Sequence, residues 1–145
     1  MKKIILMLAI TLSGFVAFAW EENVNTKVLN AFSREFTGAK DVKWTTNKTF
    51  YKASFAFNGQ YVYAFYQLDG ELMAITRNIS SLDLPVKLQS NLKKGYDGYW
   101  ISELFEVSNS DGTKYYITMQ KADSKIVLKS NSDGNWNVFK KSTKI

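Results

Sequence analysis

Residues 51–76 read YKASFAFNGQYVYAFYQLDGELMAIT, a stretch of alternating side chains that is interrupted by two turn dipeptides. Asn58-Gly59 and Asp69-Gly70 are turn signals of the kind that join antiparallel strands. Apolar residues alternate with polar or small ones on either side of both turns, as in strands that bury one face. The stretch is therefore predicted to form three consecutive antiparallel strands.

The two turns also predict which side chains share a face of these strands. Counting outward from Asn58-Gly59 pairs Phe55 with Val62, and counting from Asp69-Gly70 pairs Tyr66 with Met73. One face is then apolar and is predicted to be the core face, carrying Ala53, Phe55, Phe57, Val62, Ala64, Tyr66, Met73 and Ile75. The opposite face mixes polar and small residues with aromatic ones: Lys52, Ser54, Ala56, Tyr61, Tyr63, Phe65, Leu72, Ala74 and Thr76.

A helix is predicted before these strands, and the same order recurs along the chain. Residues 26–36 carry apolar side chains at helical spacing, and Gly38 is placed to end that helix. Leu84-Pro85 opens a second helix, which four strand-like runs follow between Trp100 and Lys140. The predicted fold class is α+β, with two helix-plus-antiparallel-meander half-repeats (about 26–79 and 84–140) and the helices on one face of an antiparallel sheet.

The N-terminus is typical of an exported protein. Lys2 and Lys3 precede an apolar run, and Ala17-Phe18-Ala19 offers the small residues that a signal peptidase recognises. Residues 1–19 are therefore predicted to be a signal peptide, which leaves 20–145 as a single periplasmic or secreted domain with no stable membrane span. The alternative is an uncleaved anchor helix, although the apolar run falls short of the ~20 residues that a span usually needs.

The composition excludes several kinds of chemistry. The 145 residues include no His and no Cys, so imidazole and thiolate metal sites, cysteine nucleophiles and Ser-His-Asp triads are ruled out. The formal net charge is +6, but the lysines are scattered and export would remove the usual nucleic acids. We expect no metal, no cofactor, no catalytic residues and no nucleic-acid partner.

Several landmarks occur in an order that resembles a known family. They are Val42-x-Trp44, Leu68-Asp69-Gly70, Leu84-Pro85, Tyr96-Asp97-Gly98-Tyr99 and Tyr115-Tyr116. The chain resembles, over about residues 26–140, the β-lactamase-inhibitor-like, PepSY-like family of exported Bacteroidetes proteins. The resemblance implies helices on one face of an antiparallel sheet and an open second face that holds a protein partner. It implies no catalytic residues, and nothing in the sequence indicates that a β-lactamase is the partner.

The candidate partner-binding residues are Tyr61, Tyr63, Phe65, Tyr96, Tyr99 and Trp100. The first three lie side by side on the face opposite the predicted core, and the last three lie in the link before the fifth strand. Rigid aromatic rings contribute contact area at low entropic cost, and Tyr hydroxyls add hydrogen bonds. We therefore expect a non-enzymatic exported module that holds a protein or peptide of the cell envelope on the aromatic face, with the link as its rim.

Three alternatives stay open. The aromatic face is part of the core if the second half-repeat covers it. A glycan- or peptidoglycan-binding envelope protein would present planar aromatic rings in a row toward solvent. A carboxylate-dependent glycan hydrolase would need two acidic groups within about 5–10 Å of each other in a cleft. The nearest acidic pair in the sequence, Asp69 and Glu71, flanks a turn and is more typical of a structural role.

Overall fold

The computed structural model describes residues 23–143. The elements of this part of the chain are α1 (Thr26–Glu35), β1 (Lys40–Thr46), β2 (Tyr51–Phe57), β3 (Gln60–Tyr66), β4 (Leu72–Asn78), a 3-10 turn (Ser81–Asp83), α2 (Val86–Gly95), β5 (Trp100–Asn109), β6 (Gly112–Gln120), β7 (Ser124–Ser130) and β8 (Trp136–Thr143). The eight strands form one antiparallel sheet whose strand order follows the chain. The predicted antiparallel sheet with helices is confirmed, and the predicted signal peptide lies outside the described residues. Neither α-helix between residues 23 and 143 has the length and hydropathy of a membrane span.

The chain forms two compact units, the first of which ends at Arg77 and also includes Ser108–Asp111. In this unit α1 packs Val28 and Phe32 against β1–β3. The buried residues of the shared core are Val28, Phe32, Phe36, Trp44, Ala53, Phe55, Val62, Ala64 and Tyr66. Asn25 caps the helix, since its Oδ1 accepts a hydrogen bond from the Lys27 amide at 2.9 Å. The apolar spacing of residues 26–36 therefore buries one side of α1, as the sequence predicts.

The β2–β3 hairpin has the register that the Asn58-Gly59 turn predicts. Both turn residues have positive φ, at 49° and 77°, as a two-residue type I′ turn requires. Phe55 pairs with Val62. The core face of these two strands is therefore confirmed.

The β3–β4 register differs from the prediction only beside the loop, because Ala64 pairs with Ile75 as the counting from Asp69-Gly70 predicts. Tyr66 pairs with Leu72, so the predicted pairing of Tyr66 with Met73 is wrong. The reason is the loop length: the Gln67 amide donates to the Glu71 carbonyl at 2.8 Å, which closes a three-residue loop ending at Gly70 with a φ of 100°. Such a loop adds a bulge. Leu72 consequently packs against the core in the place expected for Met73.

The second unit comprises the remaining residues from Asn78 onward. Here α2 packs Leu88 and Leu92 against β5–β7, in an aliphatic core whose buried members are Leu84, Leu88, Leu92, Leu104, Ile117, Met119, Ile126 and Leu128. Long-range hydrogen bonds also hold the helix: Trp136 Nε1 donates to the Leu88 carbonyl at 2.9 Å, and Asn91 Nδ2 donates to the Gly134 carbonyl at 2.8 Å. Apolar packing and polar ties therefore both fix the position of α2 within this unit.

Candidate functional site

The strand aromatics Tyr61, Tyr63 and Phe65 do not form a continuous exposed surface. Tyr61 is 49% exposed and Tyr63 is half-buried, whereas Phe65 is only 3% exposed and lies 5.9 Å from the Phe50 ring, centroid to centroid. The prediction that Phe65 lies on an open face is therefore wrong. Phe65 is on the predicted face of β3, paired with the buried Ala74, but that face is covered at this position.

Tyr61 and Tyr63 form a smaller surface with Lys52. Their ring centroids are 5.4 Å apart with planes at 75°, and Lys52 Nζ lies 5.3 Å from the Tyr63 centroid. Burial lowers the pKa of Lys52, and burial with the neighbouring Tyr61 raises the pKa of Tyr63. Since the two rings meet edge to face, they do not form one continuous flat platform for a sugar.

The Tyr96–Trp100 link is divided between core and surface. Tyr96 and Tyr99 pack against the α2 core with ring centroids 6.3 Å apart and planes at 74°. Lys121 Nζ lies 4.2 Å from the Tyr99 centroid, in a cation–π arrangement. Trp100, the first residue of β5, is 52% exposed. The link thus places two of its three aromatic rings beside the second core and one at the surface.

A surface groove of about 620 Å³ lies beside α2 and includes both link tyrosines. Its lining residues are Ser81, Leu82, Val86, Gln89, Ser90, Leu92, Lys93, Tyr96, Asp97, Gly98, Tyr99, Ile101 and Met119. Leu82 is 82% exposed, Val86 is 81% exposed and Ile101 is 39% exposed. The groove therefore combines large apolar side chains in solvent with polar groups around them.

The entrance of α2 holds Leu82 and Val86 in place. Ser80 and Asp83 form a reciprocal capping box around the 3-10 turn, with the Ser80 amide donating to Asp83 Oδ2 at 2.8 Å. Gln89 Nε2 donates to the carbonyl of Leu84 at 2.7 Å and to that of Leu82 at 3.3 Å. These hydrogen bonds hold the backbone before α2 against the helix, so the backbone that carries Leu82 and Val86 has a defined position.

Sequence reasoning included Tyr96 and Tyr99 in the site but missed Leu82 and Val86. A signal for them exists, because Leu84, Leu88 and Leu92 form the buried row of the α2 region. Leu82 and Val86 fall outside that row. Large apolar residues on the side of a helix that does not face the core indicate an exposed apolar surface.

The carboxylates proposed for the hydrolase alternative take structural roles in turns. Asp69 Oδ1 accepts the Glu71 amide at 3.1 Å, and Glu71 Oε2 accepts from Gln67 Nε2 at 3.0 Å. Between residues 23 and 143, no group of three or more His, Cys, Asp or Glu side chains converges as a metal site would require. The turn interpretation of Asp69 and Glu71 is therefore supported by their contacts.

No protein-family model matches this chain, and no curated protein matches it in sequence. Solved structures do resemble it. A BLIP-like protein from Bacteroides fragilis is 15% identical, with 82% of this chain and 85% of that chain covered and a TM-score of 0.70. A DUF2874 family protein from Bacteroides ovatus is 19% identical, with 81% and 86% covered and a TM-score of 0.72. A protein from Bacteroides eggerthii, described as "putative periplasmic", is 17% identical, with 83% and 88% covered and a TM-score of 0.72.

These similarities define the fold. At such identities a shared structure says how the chain is folded and leaves its activity open. The protein has the BLIP-like, that is β-lactamase-inhibitor-like, fold that its sequence resemblance implies.

Proposed function

We propose that this protein is an exported, non-enzymatic binding module that holds a protein or peptide segment in the groove beside α2. The observation that carries the proposal is the exposure of Leu82 and Val86, at 82% and 81%, in the same groove as Tyr96 and Tyr99. Single exposed apolar residues are common on protein surfaces, but a fixed group of them around a groove is typical of an interaction site. The groove suits an apolar side chain of the partner.

The exposed apolar side chains of this groove can contribute to selective binding. Burying one Leu or Val side chain contributes about 1.5–3 kcal/mol, and each 1.4 kcal/mol changes a dissociation constant about tenfold. Lys93, Asp97 and Ser90 line the groove beside the apolar residues and can bind the backbone or polar side chains of a peptide. The mechanism is surface complementarity, with an apolar anchor surrounded by polar contacts.

Export is supported by the N-terminal sequence pattern together with the fold. Residues 1–19 have the basic start, apolar middle and Ala-x-Ala end of a signal peptide. One protein with a similar structure is described as "putative periplasmic". A protein or peptide of the cell envelope is therefore the partner that we propose.

A glycan partner is the second candidate, and the ring geometry favours it less. Sugar binding by stacking needs ring faces that lie open to solvent. Tyr96 and Tyr99 instead meet at 74°, Tyr61 and Tyr63 meet at 75°, and the first pair is packed against the core. Trp100 remains the ring best placed for such a contact, because it is 52% exposed.

Selection from a random peptide library on the immobilised protein tests the proposal. Peptides with a shared apolar residue should be enriched, and their affinity should fall about tenfold or more for Leu82→Ser/Val86→Ser. The matched control is Leu68→Ser/Val138→Ser, which removes two exposed apolar side chains, 44% and 58% exposed, outside the groove.

The control variant should bind the selected peptides within about twofold of the unmodified protein. Equal losses in both variants, or no enrichment over a surface carrying the groove variant, would contradict the proposal. Displacement of the peptides by soluble peptidoglycan fragments, combined with loss of fragment binding in Trp100→Ser, would favour the glycan candidate instead.

A further inference from the structure

Three lysines cluster on one face of β7 and β8. Lys125 and Lys129 lie two residues to either side of Val127, and Lys140 pairs directly with Val127 across the strands. Alternate residues of a strand point to the same face, so all three side chains leave the sheet on one side. Ile126 and Leu128 point to the other side and pack in the α2 core. We call Lys125, Lys129 and Lys140 the lysine triangle.

An aromatic group lies beside the lysine triangle on the same face. Tyr116 pairs with Lys129, whose Nζ lies 5.7 Å from the Tyr116 ring centroid. Phe105 stacks on Tyr116 with centroids 5.5 Å apart and planes at 13°, and Phe139 meets it edge-on at 5.8 Å. Tyr116 is 1% exposed whereas Phe139 is 37% exposed, so the group gives a buried floor with one apolar side chain at the surface.

The carboxylate of Glu103 projects near this face and is already engaged. Its Oε2 accepts a hydrogen bond from Thr118 Oγ1 at 3.2 Å, and Thr118 pairs with Val127 from the β6 side. Within β7, Val127 lies between Lys125 and Lys129, and on the β8 side it pairs with Lys140. Like charges at neighbouring positions on one sheet face repel each other, so an acidic ligand that bound here would relieve this repulsion.

We infer that the lysine triangle is a second interaction surface, which binds an acidic segment of a protein partner. The charges are complementary: carboxylates of the segment would contact Lys125, Lys129 or Lys140, and an apolar neighbour would contact Phe139. A second copy of this chain is a poor occupant, because 19 basic against 13 acidic residues make the two copies repel. The surface is separate from the groove residues, so the inference does not rest on the proposed function.

Fluorescence anisotropy with labelled peptides tests the inference. The probe is a peptide of alternating Glu and Val, and its control is the same peptide with Gln in place of Glu. We expect the Glu peptide to bind at least about tenfold more tightly than the Gln peptide in low salt, and to weaken toward about 0.15 M salt as screening grows.

Three triple variants separate the effect of the lysine triangle from the effect of net charge. Lys125→Gln/Lys129→Gln/Lys140→Gln should weaken the Glu peptide about tenfold, and the corresponding three Lys→Arg changes should keep binding within about twofold. Lys40→Gln/Lys43→Gln/Lys48→Gln removes the same charge elsewhere on the surface and should have little effect. Circular dichroism of each variant checks that the fold is intact.

Several results would overturn the inference. Equal weakening by both Gln variants would mean that only the net charge matters. Equal binding of the Glu and Gln peptides would exclude carboxylate recognition. Triangle-dependent binding of inorganic phosphate or of phosphatidylglycerol vesicles that exceeds binding of the Glu peptide would assign the surface to phosphates or to a membrane. If the library selection enriched no peptide for the groove but the Glu peptide still bound to the lysine triangle, only the groove proposal would be contradicted.

Discussion

Helix α1 rests on aromatic rings, whereas helix α2 rests on aliphatic side chains. In the first core, Phe32 alone lies within 6.5 Å of four other ring centroids, at distances of 5.3, 5.2, 4.9 and 6.5 Å. In the second core the buried residues are almost all Leu and Ile. The first core is therefore built on aromatic rings, while the aromatic side chains packed against the second core, Tyr96, Tyr99, Tyr115 and Trp136, are only partly buried.

The difference extends to the way each helix begins. Asn25 caps α1 at a surface without large exposed apolar side chains among the described residues of that helix. The start of α2 instead carries Leu82 and Val86 in solvent, beside an ordered capping box. Apolar groups that are fixed but not buried contribute little to the stability of the folded state, and the groove that we propose as the binding site lies in the α2 unit.

Replacing the central ring of the first core should have the largest effect on stability. Phe32→Ala removes the side chain that contacts four rings, and we expect it to lower the free energy of unfolding by about 3–5 kcal/mol. Leu88→Ala, the counterpart in α2, should cost about 2–5 kcal/mol. Urea unfolding followed by tryptophan fluorescence measures both. A smaller loss for Phe32→Ala than for Leu88→Ala would reverse the comparison between the two cores.

The side-chain hydrogen bonds of the two helices should also differ in their contribution to the free energy of unfolding. Asn91→Ala removes the hydrogen bonds from α2 to Gly134 and Asn135, both 2.8 Å long, and should cost about 1–3 kcal/mol. The matched change in α1, Ser33→Ala, removes only a bond from its hydroxyl to the Leu29 carbonyl at 2.9 Å. That bond lies within the helix, so we expect a change below about 0.5 kcal/mol. Equal losses of unfolding free energy would mean that the long-range hydrogen bonds of α2 stabilise the protein no more than the local bond of α1 does.

Much of the strand architecture is predictable from the sequence, because local turn chemistry sets register. Asn58-Gly59 has the conformation its residues favour, and the pairing of β2 with β3 follows directly. Asp69-Gly70 carries the same signal but closes a three-residue loop. Loop length depends on which backbone groups pair beyond the turn, and the dipeptide alone does not determine it.

The candidate site is less predictable than the fold. Periodicity predicts on which face of a strand a side chain lies, but it does not predict which other residues cover that face. Phe65 lies on the face that alternation predicts, yet it is 3% exposed. Tyr96 and Tyr99 contact each other, and packing against the second core decides how much of each ring is left at the surface. Leu82 lies outside the predicted site because that prediction rests on aromatic residues alone.

Substitution of two buried tyrosines, one in each unit, should stabilise the protein, whereas the substitutions above destabilise it. The hydroxyls of Tyr66 and Tyr116 are buried with no hydrogen-bond partner among the described residues. An unpaired buried hydroxyl is destabilising, so Tyr66→Phe and Tyr116→Phe should each raise the free energy of unfolding by about 1 kcal/mol at neutral pH. Urea unfolding measures the gain. A loss in one of the two variants would show that its hydroxyl does find a partner in solution.

The same pair predicts a loss of stability in alkali. Burial raises the pKa of both phenols above the ordinary value of 10.0, with Glu35 adding to the effect at Tyr66. Above about pH 10 the unfolded chain releases these protons while the folded chain keeps them, so stability falls as the pH rises. In the variant with both tyrosines changed to Phe, the free energy of unfolding should fall less steeply between about pH 9 and 11, a range centred on the ordinary tyrosine pKa of about 10. An unchanged slope would assign the alkaline loss to other groups.

The smallest expected effect on stability is at the groove itself. Leu82→Ser/Val86→Ser should change the free energy of unfolding by less than about 0.5 kcal/mol, because both side chains are more than 80% exposed. Leu84→Ser, two residues from each of them, should cost at least about 2 kcal/mol because Leu84 is 3% exposed in the second core. Urea unfolding of the double and single variants makes the comparison. A loss above about 1 kcal/mol in the double variant would place Leu82 and Val86 in the core of the α2 unit. Their exposure would then give no reason to expect a partner in the groove.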